Sequence, residues 1–328
     1  MSEKFNVSTN PHVRSKVTTQ SVMRDVLIAL TPASLFGIYN FGFDALVRII
    51  VGIVACVAFE AVYQYFMHLK VTVSDLSAAV TGLLIALNIP STLNVGFEIV
   101  GCAFAIIIVK QLFGGLGQNF MNPALGARCF MLIAYTSAMT NFATTNSFAV
   151  DAYSGATPLA ILKPSAEVVA NAPKLLDMFI GTTSGVIGET SALCLLIGAI
   201  YLLCKKIISW RIPVSYIAVF AVLIFFLAPG HQFDFYYTLQ EICGGGLLLG
   251  AFFMATDYVT SPITPNGKLV FGCILGVLTF IFRMYGGSAE GVSYAIIFSN
   301  LLVPLIEKVT VPRSFGKKKP EKKNKEVA

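Results

Sequence analysis

The sequence predicts an all-α integral membrane protein, and three observations support that prediction. Of the 328 residues, 56% are hydrophobic and 12% are charged, whereas a soluble domain carries about 25% charged residues. Apolar stretches close to the roughly 20 residues that a helix needs to cross a bilayer recur along the chain. Positive charge is concentrated in residues 308–328, which hold eight Lys or Arg against two Glu. This composition excludes a typical soluble enzyme.

We predict about ten transmembrane helices, five on each side of one long polar segment at residues 140–187. The third, fifth, eighth and tenth apolar stretches are short or contain Gly, Asn, Thr and Pro, so these four are predicted to be interrupted helices. In chain order the ten stretches are residues 25–43, 45–67, 71–88, 93–113, 120–139, 188–208, 212–229, 238–256, 268–285 and 288–307.

Basic residues orient the predicted helices. When alternate loops are assigned to alternate sides, one side holds 19 of the 23 Lys and Arg residues and the other side holds four. The positive-inside rule then places both termini in the cytoplasm and the 140–187 segment outside. The basic tail has one aromatic residue, Phe315, among its lysines. That is not the pattern of a nucleic-acid-binding surface, so we expect a solvated cytoplasmic tail and no nucleic-acid partner. Membrane lipid is the expected surrounding of the apolar stretches.

Short matches between the two halves predict an internal repeat. The Gly-Cys pair at 101–102 begins a stretch that reaches Lys110, and the Gly-Cys pair at 272–273 begins one that reaches Arg283. Because each half has five stretches, an odd number, the second copy is expected to be inverted, with binding sites near the midplane. The predicted parts are an N-terminal cytoplasmic segment (1–24), a first repeat (25–139), an external loop (140–187), a second repeat (188–307) and a basic cytoplasmic tail (308–328).

No catalytic residue and no metal site are predicted. The seven cysteines lack C-x-x-C spacing, which excludes zinc-ribbon and thioredoxin-type motifs. The three histidines form no pair with metal-ligand spacing. The sequence also lacks nucleotide-binding and nucleophile-elbow motifs in a strand-to-helix context.

The segment Gly-Gly-Leu-Gly-Gln-Asn-Phe-Met-Asn-Pro-Ala at 114–124 is a candidate binding site. Its glycines expose backbone donors, and Asn119 and Asn122 add two amide side chains at the mouth of a predicted helix. A helix that begins near Pro123 would direct its free N–H groups to the same place. The set suits a neutral, hydrogen-bonding ring. The alternative is structural, with Asn as a helix cap and Gly in a turn.

Thr157 is a candidate modification site in the predicted external loop. The sequence around it is Ser-Gly-Ala-Thr-Pro, so small residues precede the hydroxyl and Pro158 disfavours a helical backbone at Thr157 itself. An accessible, extended Thr of this kind could be modified by another enzyme. By spacing alone, an ordinary turn is the alternative.

Taken together, four segments resemble a known family: Ser-Gly-Ala-Thr at 154–157, the glycine-rich segment at 114–124, Ala-Thr-Asp-Tyr-Val-Thr-Ser-Pro at 255–262 and Thr-Thr-Gln-Ser-Val-Met-Arg-Asp-Val-Leu at 18–27. The family is the D-type subunit of the Rnf complex, the ion-translocating ferredoxin:NAD⁺ oxidoreductase. The sequence is also similar to the B-type subunit of the sodium-pumping NADH:quinone oxidoreductase, which has a longer N-terminal extension. The family fold is similar to that of urea transporters.

The resemblance implies a flavoprotein subunit of a translocase in the bacterial cytoplasmic (inner) membrane. Thr157 would carry FMN through a phosphoester bond made by a flavin transferase, and Ser154, Gly155 and Ala156 would form the recognition motif of that transferase. The subunit would transfer electrons and couple their flow to Na⁺ or H⁺ transport. It would not be a complete enzyme, because ferredoxin and NAD⁺ would be reached through other subunits that carry flavin and iron–sulfur groups.

The resemblance also implies a second, non-covalent flavin. Riboflavin or a similar flavin would bind at Asn119, Asn122 and Pro123.

Four acidic residues at or near apolar stretches are candidates for the ion path: Glu60, Asp75, Glu98 and Asp257. Each could equally cap an interrupted helix or form an ion pair at a helix interface. Asp257 ranks first because it follows a short stretch in the second half. The alternative function is a urea-transporter-like solute channel or carrier without a redox role, which would need no flavin attachment site at Thr157.

Overall fold

The computed structural model describes residues 17–142, 157–163, 174–287 and 290–312. Within these ranges the chain forms helices and connecting loops and contains no strand. The prediction of an all-helical protein is therefore confirmed for the described part of the chain.

The first half contains six helices. The fourth continues directly into a π-helical segment, Phe104–Gln111, and the third follows a short 3₁₀ turn at Val73–Asp75. The helices are α1 (Thr19–Phe41), α2 (Phe43–Phe66), α3 (Ser77–Leu87), α4 (Val95–Ala103), α5 (Pro123–Ala134) and α6 (Thr136–Met139).

The remaining part contains two short helices and then six that form the second half. A second π-helical segment, Gly250–Met254, directly follows α12. The helices are α7 (Pro158–Leu162), α8 (Leu175–Ile180), α9 (Ala192–Cys204), α10 (Arg211–Leu227), α11 (Phe235–Cys243), α12 (Leu247–Leu249), α13 (Pro265–Tyr285) and α14 (Val292–Thr310).

Four described helices, α1, α2, α13 and α14, are long and apolar enough to cross a membrane. Four shorter apolar helices, α3, α5, α9 and α10, contain 10–17 residues each. Large hydrophobic side chains on the outside of the bundle remain exposed, among them Leu35, Val54 and Ile133. A bilayer would cover these side chains, so the exposure agrees with a multi-pass membrane protein.

Three of the four stretches predicted to be interrupted are interrupted in the structure. The third is reduced to α3, the fifth breaks at Tyr135 between α5 and α6, and the eighth breaks at Gly244–Gly246 between α11 and α12. The prediction for the tenth stretch is wrong, because α14 continues through Pro304 for its full length. A proline removes one intrahelical hydrogen bond, and helices inside membranes accommodate that loss when their neighbours support them.

Helix α1 begins earlier than the apolar stretch that predicted it. Thr18 accepts a hydrogen bond from the backbone N–H of Ser21, and the Ser21 hydroxyl accepts one from the backbone N–H of Thr18. This reciprocal cap satisfies two donors at the helix end. The cap lets the helix start at Thr19, in the polar segment ahead of residue 25.

Small residues allow close helix packing in both halves. Gly82 of α3 lies so close to the Gly52 backbone of α2 that a Cβ at Gly82 would collide with it. In the second half, Gly276 of α13 faces the Tyr216 carbonyl and Phe220 of α10. Without a hydrophobic driving force between helices in lipid, such contacts are a main source of association.

Three helix ends meet at the centre of the bundle, and we refer to Asn88, Asn122 and Met254 as the central junction. Asn88 ends α3, Asn122 begins α5, and Met254 ends the second π-helical segment. Asn122 Nδ2 donates to the Met254 carbonyl at 3.3 Å, and Asn88 Nδ2 lies 3.9 Å from the Met254 sulfur. Interrupted helices therefore present polar ends to one another inside the protein.

Candidate functional site

Two cavities lie at opposite ends of α5, and we name each by one lining residue. The Thr157 cavity has a volume of about 610 Å³ and is lined by Arg128, Lys163, Glu290 and Tyr294, among others. The Asn119 cavity lies at the start of α5, where Pro123 lines it together with Lys110 and Asp257. The central junction stands between the two, because Asn88 lines the first cavity and Asn122 lines the second.

Thr157 has the extended backbone that the following proline predicts, with φ −69° and ψ 152°. It caps α7, and its hydroxyl oxygen accepts a hydrogen bond from the Ala160 N–H at 3.3 Å. The side chain is only 7% exposed, whereas the sequence favoured an accessible hydroxyl. Thr157 is buried because α7 packs inward, with Leu159 against Gly244 and Gly245. The hydroxyl lies at the edge of the Thr157 cavity.

Arg128 of α5 donates hydrogen bonds to three residues from separate parts of the chain, and it lines the Thr157 cavity. Its Nη1 donates to Glu189 Oε1 and to Asn88 Oδ1, each at 2.6 Å, and its Nη2 donates to Glu290 Oε2. Glu189 precedes α9 and Glu290 precedes α14, so one first-half side chain binds two carboxylates of the second half. We call Arg128, Glu189 and Glu290 the arginine cluster.

The arginine cluster was missed from the sequence, although a signal was present. Arg128 lies in the middle of the fifth apolar stretch, and an ionisable residue at such a position requires a partner inside the bundle. The sequence does not reveal that the partners are Glu189 and Glu290, because both lie in loops far from Arg128 along the chain.

Asn119, Asn122, Pro123 and Asp257 come together at the Asn119 cavity. Asn122 is the N-cap of α5 and accepts from the N–H groups of Ala124 and Leu125. Its amide nitrogen is committed to Met254, so Asn122 plays the structural role that the sequence left open. Asn119 differs, because its buried Oδ1 has no hydrogen-bond partner among the described residues. That acceptor fits the N–H edge of a neutral ring such as a flavin.

Glu60 and Asp75, two of the predicted ion-path residues, belong to one hydrogen-bonded chain. Lys110 Nζ lies 2.8 Å from Glu60 Oε1 and donates to the Ser77 hydroxyl at 2.6 Å. The Ser77 hydroxyl donates to Asp75 Oδ1 at 2.6 Å. Lys110 and Glu60 are both fully buried, and Lys110 also lines the Asn119 cavity.

The other two predicted ion-path residues also have partners. Glu98 is buried, and its carboxylate lies 3.9 Å from the guanidinium of Arg48. Asp257 accepts from the Thr260 hydroxyl at 3.2 Å and caps the turn that follows the second π-helical segment. The structure therefore shows caps and ion pairs at all four acids, and their role in an ion path remains a prediction.

Ser154, Gly155 and Ala156 lie outside the described residues, as do other parts of the 140–187 segment. Thr157 is the part of the Ser-Gly-Ala-Thr motif that the structure places. Lys163 brings a positive charge to this cavity, which suits a flavin phosphate, whereas the charge of Arg128 is compensated by Glu189 and Glu290.

A helical bundle with long apolar helices, buried ion pairs and two cavities is typical of an integral membrane protein. The chain belongs to the NQR2, RnfD, RnfE family, whose model matches residues 6–316. The resemblance to this family that the sequence motifs indicate is therefore confirmed.

Curated relatives cover nearly the whole chain. The D-type subunit of the Na⁺-translocating ferredoxin:NAD⁺ oxidoreductase complex of Acetobacterium woodii is 46% identical, over 98% of this chain and 98% of the relative. The D-type subunit of the proton-translocating ferredoxin:NAD⁺ oxidoreductase complex of Clostridium ljungdahlii is 39% identical, over 95% and 96%. The D-type subunit of the ion-translocating oxidoreductase complex of Stutzerimonas stutzeri is 35% identical, over 93% and 94%.

Proposed function

We propose that this chain is the membrane electron-transfer subunit of an ion-translocating ferredoxin:NAD⁺ oxidoreductase complex and carries FMN covalently at Thr157. The observation that carries the proposal is the position of Thr157, the last residue of a flavinylation-like motif, at the edge of a cavity of about 610 Å³. The relatives named for that complex support the choice of complex. A passive solute channel would need no such attachment site.

In this proposal a few residues of the Thr157 cavity have defined roles. The Thr157 oxygen anchors the flavin through a phosphoester bond, and Lys163 offsets the negative charge of the phosphate. When bound, the flavin supplies electron-transfer chemistry that no side chain provides.

Covalent attachment is tested by in-gel flavin fluorescence after denaturation, using protein made in a host with the flavin transferase. The parent chain is expected to fluoresce, and Thr157→Ala is expected to lose the signal. Thr140→Ala is the matched control, because Thr140 lines the same cavity outside the motif. Intact mass gives a second readout, since attached FMN adds a fixed increment. A dark parent, or equal fluorescence in Thr157→Ala, would refute the assignment.

The Asn119 cavity is proposed to hold the second flavin, riboflavin or a similar compound, without a covalent bond. The unpartnered Asn119 oxygen supports this assignment, and Pro123 and Asn122 shape the opening of the site. In the Thr157→Ala background all remaining flavin is extractable, so it can be counted directly. Asn119→Ala in that background is expected to lose it, and retention of one flavin per chain would place the second flavin elsewhere.

The proposed architecture is ten transmembrane segments in two inverted five-helix repeats, similar to urea transporters. Each half of the chain contains a buried ion pair, and this similarity supports the repeat. Lys110 contacts Glu60 at 2.8 Å in the first half, and Arg283 contacts Glu241 at 3.0 Å in the second half. Lys110 and Arg283 lie toward the ends of the two matched sequence stretches, nine residues after Gly101 and eleven residues after Gly272. The chain would lie in the bacterial inner membrane with both termini cytoplasmic.

Electron flow is proposed to drive Na⁺ or H⁺ across the membrane, with Asp257, Asp75, Glu60 and Glu98 as candidates along the ion path. Moving one charge against about 100 mV costs about 2.3 kcal/mol. One electron that falls through about 59 mV releases about 1.4 kcal/mol, so a redox drop of roughly 100 mV per ion is sufficient. Other subunits would supply the contacts with ferredoxin and NAD⁺, and the flavin transferase would act during maturation.

A further inference from the structure

Two carboxyl groups of the arginine cluster meet at the wall of the Thr157 cavity. Glu189 and Glu290 both line the small polar recess that opens beside Thr157. Their carboxyl groups bind the two terminal nitrogens of the same guanidinium group, which brings them next to each other. Arg128 Nη1 contacts Glu189 Oε1 at 2.6 Å, and Arg128 Nη2 contacts Glu290. Two carboxyl groups therefore contact one guanidinium group in the interior of the protein.

One oxygen of this group lacks a donor. Glu189 Oε2 is buried and has no hydrogen-bond partner among the described residues when both carboxyl groups are ionised. An ionised carboxylate only accepts hydrogen bonds, so two ionised carboxylates cannot bond to each other. A single proton between Glu189 and Glu290 satisfies the oxygen and makes the cluster neutral, with one carboxylate opposite one guanidinium. An unpaired buried charge would otherwise remain.

Among the described residues, one further charged group faces the cluster. The other titratable groups that face the cluster are Cys129 on α5, Cys243 on α11, Tyr294 on α14 and Lys163 after α7. Only Lys163 adds a positive charge, and its ammonium group donates to the Gly286 carbonyl at 2.5 Å.

The position of Glu189 is fixed by packing. Gly246, at the start of α12, lies so close to the Glu189 carboxyl group that a Cβ there would collide with it. Glu290 is more open, with 17% of its side chain exposed, and it lines the Thr157 cavity as well as the recess. Glu189 therefore has a fixed position beside Arg128, and Glu290 connects the two carboxyl groups to the Thr157 cavity.

We propose that Glu189 and Glu290 share one exchangeable proton and that this pair is the proton donor to a flavin in the Thr157 cavity. The second part rests on the proposed function. In the donation step, two electrons arrive from iron–sulfur-carrying partner subunits, an N–H bond forms on the flavin ring, and the O–H bond of the shared proton breaks. Both carboxylates are then ionised beside Arg128, and water in the cavity returns a proton through Glu290.

The shared proton is tested by infrared spectroscopy of the purified full-length chain, using the carbonyl stretch of a protonated carboxylic acid and its shift in D₂O. Glu189→Gln and Glu290→Gln are each expected to remove the same band. In either variant one carboxylate remains, and it ionises opposite Arg128. The new amide also donates an N–H bond to that carboxylate, in place of the shared proton, so both variants are expected to fold.

Glu307→Gln is the matched control, because Glu307 is partly exposed and its carboxylate accepts from the Ile263 N–H at 3.0 Å. That variant is expected to keep the band. Loss of a band in only one of the two cluster variants would identify an independent acid and overturn the shared proton. A band that survives in both would overturn it as well.

The donor role is tested in the whole complex by following flavin absorbance during reduction by ferredoxin. Glu189→Gln is expected to slow flavin reduction by about 100-fold, the lower range for loss of a positioned acid, with in-gel fluorescence retained. An unchanged rate would overturn the donor role. If the parent chain carried no flavin, the proposed function and the donor role would fail together, whereas the infrared band would still decide the shared proton.

Discussion

At the scale of single residues, the ion pair of Lys110 with Glu60 is fully buried, so its loss is expected to destabilise the protein. Replacing Lys110 by Met leaves Glu60 buried without its cation, and breaking such a pair costs about 3–5 kcal/mol. Thermal unfolding in detergent should show a large decrease in Tm. The double change of Lys110→Met with Glu60→Gln should recover part of it, because no ionised group is then left unpaired.

Lys205→Met is the matched control for that experiment. Lys205 contacts Asp25 at 3.2 Å, but its side chain is 49% exposed, and exposed ion pairs contribute about 0–1 kcal/mol. Equal effects of the two lysine substitutions would contradict the view that burial makes the Lys110 pair important.

Asp257 offers a second test at the residue scale. Asp257→Asn keeps an oxygen that can accept from Thr260 and so preserves the turn cap. If Asp257 serves the ion path, membrane vesicles of the variant should keep both flavins and lose redox-driven ion uptake. Ion uptake at the parental rate would remove Asp257 from the path and leave it a structural cap.

The sequence predicted residues of the Asn119 cavity better than those of the Thr157 cavity. Asn119, Asn122 and Pro123 lie within five positions of one another, so a local motif identifies them together. The arginine cluster joins residues 61 and 162 positions apart along the chain. Local patterns carry no information about such pairings, and only the charge of Arg128 in an apolar stretch gave a hint.

At the scale of helices, the close contact of α2 with α3 should be sensitive to any added atom. Gly82→Ala places a Cβ against the Gly52 backbone, which cannot move as a flexible side chain can. Overpacking of this kind costs about 1–3 kcal/mol. Unfolding measured by circular dichroism should therefore shift to lower temperature.

Gly287→Ala is the control at the same scale, because nothing lies within 4 Å of a Cβ at Gly287. That variant should unfold at the parental temperature. A destabilisation as large as that of Gly82→Ala would show that glycine flexibility, and not close packing, explains the effect.

Helix interruptions were predictable where the sequence contains several helix-breaking residues together. The run of three glycines at 244–246 ends α11, and the polar segment before Pro123 separates the fourth stretch from α5. A single proline was a poorer indicator, since α14 continues through Pro304. The outcome at a lone proline depends on the packing of neighbouring helices, which the local sequence does not contain.

At the scale of the whole molecule, the orientation in the membrane is the prediction to test. Fusion of a fluorescent protein after Ala328 should be fluorescent, because that reporter folds in the cytoplasm. Alkaline phosphatase inserted in the 140–187 segment should be active, because it requires the external side. The opposite result at either place would reverse the proposed topology.

Composition was enough to predict a membrane protein, but it was not enough to predict the number of membrane-spanning helices. In the part of the chain that the structure describes, four helices meet the length and hydropathy expected of a complete span, and others are shorter. Short helices cannot be counted reliably from hydropathy. The polar groups at their ends find hydrogen-bond partners on neighbouring helices, as at the central junction, so these helices need not be long enough to reach water.

The short length of α3 has a consequence for biogenesis. With 11 residues and a rise of 1.5 Å per residue, α3 is roughly 16 Å long, about half of the 30 Å hydrocarbon layer. Such a segment is too short to span that layer alone, because one of its ends would lie in lipid without hydrogen-bond partners. In the folded chain Asn88, at the end of α3, lies 3.9 Å from the Met254 sulfur. We therefore expect α3 to reach its final packing only after the residues around Met254 have been synthesised.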